Sequence, residues 1–241
     1  AGNLDLDGVA TTNVTSLTVT GDSNLDANVT TANAQTYGGT TTLSANITLD
    51  STGNADSDDI GLGIITAEAN ESLVLDAGAS AQITVSGAIT ELTNLTITDS
   101  AGATFGGNVT LINDFIVTDS SSDIIFNGTL NAAGLSLAGE AYNLQFNGGG
   151  TITDATTLAN TGTVSIGADG TTTQFTGGLT TITGSSQNLN GTIKTIDTNL
   201  TISDGEAITL SGATTLSSIG DGVDGNDGNI TLGGIVNSAT E

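Results

Sequence analysis

Between Gln82 and Ile89 the chain reads QITVSGAI, and every second position (Ile83, Val85, Gly87, Ile89) is apolar or glycine. This two-residue period is that of a half-buried β-strand. The frame returns as Ala103-Phe105-Gly107-Val109, then Ile124-Phe126-Gly128-Leu130, then Leu144-Phe146-Gly148. Its second members stand at 85, 105, 126 and 146, in steps of 20, 21 and 20. Extended both ways, the rows centre on Val19, Leu43 and Leu62 upstream and on Ile166, Leu189, Leu210 and Leu232 downstream. That makes eleven rows, and the ten steps from 19 to 232 average about 21. Two places after the centre, eight of the eleven rows carry glycine, and Ala45, Ile64 and Ala168 are the exceptions. The Leu62 row fits worst, because NADSDD and GLGIIT around it fall off the frame.

A second series lies about half a period beyond the centres: Leu73-x-Leu75, Leu95-x-Ile97, Phe115-x-Val117, Leu135-x-Leu137 and Leu200-x-Ile202. Each period therefore holds at least two short strands between turns rich in Gly, Asn, Asp and Ser. The remaining residues leave room for a third, which the pattern does not place. No 3.6-residue period appears. A fixed period with like residues in phase is the mark of a repeat architecture. The expected fold is all-β, a single-stranded parallel β-solenoid of about 21 residues per rung and about 11 rungs, continuous over residues 1–241. At ~4.8 Å per rung its length is about 50 Å. The chain has no proline, as suits strands that all donate to a ladder. An antiparallel sandwich would recur every 8–12 residues without a glycine column in phase.

Composition sharpens this picture. One cation, Lys194, stands against 26 acidic residues, for a formal charge of −25. Phosphate recognition rests on Lys and Arg, so nucleic acid is excluded as a partner, and anionic membrane surfaces are disfavoured. There is no Cys, so neither disulfides nor thiolate metal sites contribute. No apolar run reaches the roughly 20 residues of a membrane helix.

The stretches VTSLTVTGDSNLDANVTTANAQTYGGTTTLSANITLDSTG (14–53) and LTNLTITDSAGATFGGNVTL (92–111) resemble the Thr/Gly/Asn-rich β-strand repeats of giant bacterial surface exoproteins, akin to filamentous-haemagglutinin-like adhesins. The resemblance is weakest at 54–72 and 220–229. It implies a right-handed β-solenoid at the cell surface, serving as adhesin shaft, sheath or matrix fibre. It carries no catalytic residues over. Those proteins are far longer, so the chain is expected to be a mature subunit or a segment of a longer array.

Candidate chemistry is sparse. With no His, no Arg and one Lys, a lyase lacks its base, and the carboxylates sit in turns rather than paired as hydrolysis requires. The expectation is a protein that is not an enzyme. Asp221, Asp224 and Asp227 in GDGVDGNDGN are a candidate Ca2+ site, because hard cations take clustered oxygens from loops; a solvated acidic loop is the other reading. NADSDD (54–59) has a similar claim. Ten Asn-x-Ser/Thr sequons occur, which fits either glycosylation of an exported protein or asparagine turns meeting threonine strands. The expected role is an extracellular structural or adhesive rod whose partners are other copies of itself or neighbouring repeat segments, stacked head to tail. A glycan-binding adhesin domain that uses an exposed sheet face is the alternative.

Overall fold

A computed structural model describes all residues except 1, 7, 9, 54–57, 183–185, 203–205, 221–226, 235 and 239–241, and omits the side chains of Thr12, Asn13 and Ser238. Among the described residues every regular element is a strand and every pairing is parallel. The chain coils as a β-solenoid with three strand segments per turn, so each face of the coil is one column of stacked strands.

The first face runs through the expected row. Val85 pairs with Leu62 and Phe105, Phe105 with Phe126, Phe126 with Phe146, and Phe146 with Ile166. Ile166 then pairs with Leu189, and Leu189 with Leu210. The Leu62 row, the worst fit to the sequence frame, is in register. Two row centres belong elsewhere. Tyr37, not Leu43, sits between Val19 and Leu62. Leu43 lies on the second face between Leu25 and Ala67. Leu232 pairs with Ile202 on the third face, and Ser238 occupies the first-face row beyond Leu210. Both errors fall where the length of the turn departs from its usual value. First-face strands open at Gln35 and Ile60, a step of 25, and at Ile208 and Val236, a step of 28, against 20 or 21 from Ile83 to Val164. A frame held at constant spacing slips there onto the next apolar residue.

The third strand of each turn follows the glycine corner at once. Ile89–Leu92, Val109–Leu111, Leu130–Ala132 and Gly150–Ile152 stack as the second face. Gln35–Leu43, Ile60–Ala67, Gln187–Lys194 and Ile208–Ser217 run through this corner without a break, which joins the first two faces into one 18-stranded sheet. The second sequence series forms the third face, with Leu95 on Leu73 and Phe115, and Val117 on Leu137. That face is two sheets, of seven and four strands.

Alternation sends one set of side chains inward. They build one core that runs from Val19 to Ile208 and includes all seven aromatic residues. Phe105, Phe126 and Phe146 stack along the axis with centroids 5.0 and 5.7 Å apart. Phe115 crosses the interior from the third face and meets Phe105 and Phe126 edge-on. Phe175 reaches Phe146 from the second face, where it pairs with Ile152.

The glycine column has a steric cause. At Gly107, Gly128 and Gly148 a Cβ would lie 2.3–2.5 Å from backbone atoms of the glycine one turn below. None of the three has positive φ, so the requirement is close axial approach at the corner rather than a left-handed backbone. Gly39 and Gly63 continue the column: a Cβ added to either would lie 2.5 or 2.4 Å from the carbonyl oxygen of the glycine one turn before it. With Tyr37 in the row, Gly39 takes the position that Ala45 had broken.

Candidate functional site

Outside the core, the features that could carry chemistry are a groove, an acidic column and the turns. The groove follows the corner between the second and third faces. Its first part, about 400 Å³, is lined by Glu68, Asn70, Glu91, Thr110 and Ile112. A second part of about 330 Å³ shares Leu111 and Ile112 and extends to Thr151 and Thr153. A separate pocket of about 440 Å³ is lined by Thr156, Gly178, Asp197 and Asn199. Glu91 is held in the groove by a bulge, since Ile89 and Leu92 pair with Val109 and Leu111 across one extra residue. It has φ of 65°, a conformation that non-glycine residues rarely adopt, and Thr66 Oγ1 donates to its Oε2 at 2.8 Å. The signal was in the sequence: in ITEL the apolar residues are three apart instead of two. The lining mixes carboxylates, hydroxyls and amides, which can accept and donate hydrogen bonds, with the apolar side chains of Ala67, Leu111, Ile112 and Ala132.

The acidic column lies on the third face. Asp50 pairs with Asp76, and Asp76 with Asp99, on successive turns. Burial raises the affinity of Asp99 for a proton, and the charge of Asp119 adds to it, against the backbone N–H groups of Ser100 and Ala79. Burial likewise raises Asp76, reinforced by Asp50 and Asp99 and offset by the Gly78 N–H. Asp99 Oδ1 is buried without a hydrogen-bond partner. Spacing alone did not reveal this column, because its three aspartates sit in turns of different length.

Of the candidate calcium ligands, Asp221 and Asp224 lie outside the described residues. Asp227 is exposed, and its Oδ1 accepts from the Gly220 N–H at 3.4 Å. In the 54–59 stretch, Asp59 Oδ1 accepts from the Gln82 N–H at 2.8 Å, which gives it a corner role. No group of three or more acidic side chains placed to share an ion occurs among the described residues. Lys194 ends a strand that alternates buried and part-exposed positions, and stands on an outward one.

The sequons also acquire a structural reading. Asn28, Asn46, Asn94, Asn108 and Asn199 each accept, through Oδ1, the backbone N–H of a residue one turn on: Thr48, Ser72, Asp114, Thr129 and Asn229, at 2.8–3.1 Å. Each of these asparagines is followed by Val, Ile or Leu and then Thr. The solenoid needs a corner acceptor, an inward apolar residue and an outward β-former in that order, and this order spells the sequon.

No family model, curated protein or solved structure matches this chain.

Proposed function

We propose that this chain is a structural or adhesive shaft outside the cell: a length of surface fibre, sheath or adhesin stalk. The observation that carries the reading is the axial order, in which one 18-stranded parallel sheet follows the axis and a single core runs beneath it from Val19 to Ile208. Load along the axis is shared by parallel columns of backbone hydrogen bonds instead of by one contact. The outer surface supports the same role. All seven aromatics are turned inward, so the rings on which sugars usually stack are committed to the core, and a pure shaft is favoured over a glycan-binding face. With one Lys and no Arg, the chain offers almost no cleavage points to proteases that cut after cations. Its charge of −25 keeps neighbouring shafts apart until salt or divalent cations screen it, and Ca2+ held by Asp221, Asp224 and Asp227 would belong to that setting.

The test is gold-labelled antibody against the chain, applied to intact and to permeabilised producing cells under the electron microscope. Label on intact cells, along filaments or a surface layer, supports the reading. Label confined to permeabilised cells rejects it.

A further inference from the structure

The chain holds three Asn-Gly pairs, at 127–128, 147–148 and 190–191, and each puts its glycine in the corner column. Such a pair carries a reaction of its own. The glycine nitrogen, with no Cβ in its way, can attack the carbonyl of the asparagine side chain. Whether it does depends on where the fold holds that nitrogen. Elsewhere in the column the N–H groups of Gly39, Gly87 and Gly148 donate to carbonyls one turn below, those of Gly21, Gly63 and Phe126, at 3.1, 3.3 and 3.4 Å. The side chains of the first two pairs are tied to each other, since Asn147 Nδ2 donates to Asn127 Oδ1 at 3.0 Å.

Gly191 differs. Its N–H donates to Oδ1 of the adjoining Asn190 at 2.7 Å. Its φ is 68°, whereas neither Gly128 nor Gly148 has positive φ. The cause lies in the turn below, where Ala168 stands in glycine's place. The Ala168 carbonyl already accepts from the backbone N–H and the hydroxyl of Thr171, at 3.0 and 2.8 Å. The register with the strand above shifts at the same point, between Leu189 and Gly191. A carbonyl bond is about 1.23 Å long, so a 2.7 Å hydrogen bond puts the Gly191 nitrogen within about 3.9 Å of Asn190 Cγ. That is near the contact of about 3–3.5 Å from which bonds form. The carboxamide is also confined. A Cβ on Gly212 would lie 2.4 and 2.6 Å from Asn190 Oδ1 and Nδ2, and 2.6 Å from Asp169 Oδ1.

We propose that Asn190 is a self-modifying site, at which the Gly191 nitrogen closes on Asn190 Cγ to form a cyclic imide that water opens to aspartate or isoaspartate. The nitrogen yields its proton to hydroxide and forms the N–Cγ bond. The Cγ–Nδ2 bond breaks, and Nδ2 takes a proton from water and leaves as ammonia. Water then opens the ring at one of its two carbonyl carbons. Opening at Cγ gives aspartate; opening at the main-chain carbonyl gives isoaspartate, whose backbone runs through Cγ. One water is consumed and one ammonia released, with no change of oxidation state. Either product sets a new charge beside Asp169, and isoaspartate lengthens the backbone where Gly191 pairs with Thr214. The change accumulates with the age of the molecule and weakens the joint between Gln187–Lys194 and Ile208–Ser217. The proposal does not rest on the shaft reading.

The test incubates the whole chain at mildly alkaline pH, folded and in urea. The three pairs are followed by peptide mass spectrometry after digestion at acidic residues. Conversion is read as replacement of NH2 by OH, and isoaspartate by the backbone fragments of its altered linkage. In the folded chain Asn190 is expected to convert about tenfold faster than Asn127 or Asn147, although Asn127 is the more exposed. In urea the three rates are expected to converge, because local sequence alone then sets them. Asn190→Gln, which cannot close the five-membered ring, is expected to abolish the fast phase of ammonia release from the folded chain. Conversion led by Asn127 or Asn147 in the folded chain overturns the proposal. So does an Asn190 that stays intact there while the unfolded chain converts, and so does a lead of Asn190 that persists unchanged in urea.

Discussion

Phe105 and Phe126 lie one turn apart, with ring centroids 5.0 Å from each other and planes 12° from parallel. Their backbones are paired in register, so the sequence period has become a ring stack along the axis. Phe126 also meets Phe115 and Phe146, which makes it the centre of the aromatic cluster. Phe126→Ala is expected to cost about 3–5 kcal/mol and Phe126→Leu clearly less, measured by urea denaturation of the two variants beside the parent. Equal losses would mean that the rings do not pack as a stack.

Two glycines of one strand separate the steric argument from mere glycine content. A Cβ at Gly63 would lie 2.4 Å from the Gly39 carbonyl oxygen, whereas at Gly61 nothing comes closer than 3.9 Å. Gly63→Ala is expected to destabilise by about 1–3 kcal/mol, as overpacking does. Gly61→Ala, where the added methyl meets its neighbours only at ordinary van der Waals distance, should be neutral or slightly stabilising. Thermal unfolding of the pair decides it; similar melting points would remove the close-approach account of the column.

The aspartate column sets a pH dependence of unusual sign. Asp76 and Asp99 bind protons more tightly in the folded chain than ordinary aspartates do, chiefly through burial and then through like charges on adjacent turns. Their protonation therefore favours the folded state. This stabilisation is complete below the ordinary aspartate range, near pH ~4, and is lost as pH rises through the raised folded-state values. The melting temperature should climb as pH falls from 7 towards that range. Asp99→Asn should raise it at pH 7 and flatten the slope, while Asp169→Asn, the same charge change at an exposed site, should do so less. Identical profiles for the two variants would leave net charge as the only cause.

The two tyrosines should respond oppositely to loss of the hydroxyl. Tyr37 donates to Gln35 Oε1 at 2.9 Å, and Gln35 is itself buried, its Nε2 donating to the Val29 and Asp50 carbonyls at 3.1 and 2.8 Å. Tyr142 buries its hydroxyl with no partner. Tyr37→Phe strips a buried acceptor of its donor, a loss of about 1–3 kcal/mol. Tyr142→Phe removes an unsatisfied group and is expected to be neutral or stabilising. Denaturation midpoints that move together in both variants would contradict these pairings.

The fold was legible because alternation, period and the glycine column agree over the turns from Ile83 to Gly148, where spacing is nearly constant. Leu43 and Leu232 were misplaced for a physical reason. A β-strand's inward residue is generic, so where turn length changes, apolar identity alone cannot tell one face from the next. Tyr37 escaped notice because a tyrosine is less marked as a core residue than a leucine, although its hydroxyl here is satisfied from within. The third strand was hidden because it follows the corner glycine without a turn of its own. The site was far less legible. The bulge at Glu91 left only the three-residue spacing of ITEL as a trace, and the Asp50-Asp76-Asp99 column depends on which residues come to lie side by side one turn apart, a register that appears only when the coil is built.

The most direct test of that register is a disulfide exchange between two faces. Thr104 pairs with Ile125 on the first face and Thr96 with Ile116 on the third, all four on outward positions. Paired residues stand ~4.8 Å apart, within the Cα range a disulfide spans. Under mild oxidation, cysteine pairs 104/125 and 96/116 should each close within one chain. The crossed pairs 104/116 and 96/125 should stay reduced. Closure of a crossed pair, or failure of both direct ones, would contradict a parallel coil with this turn.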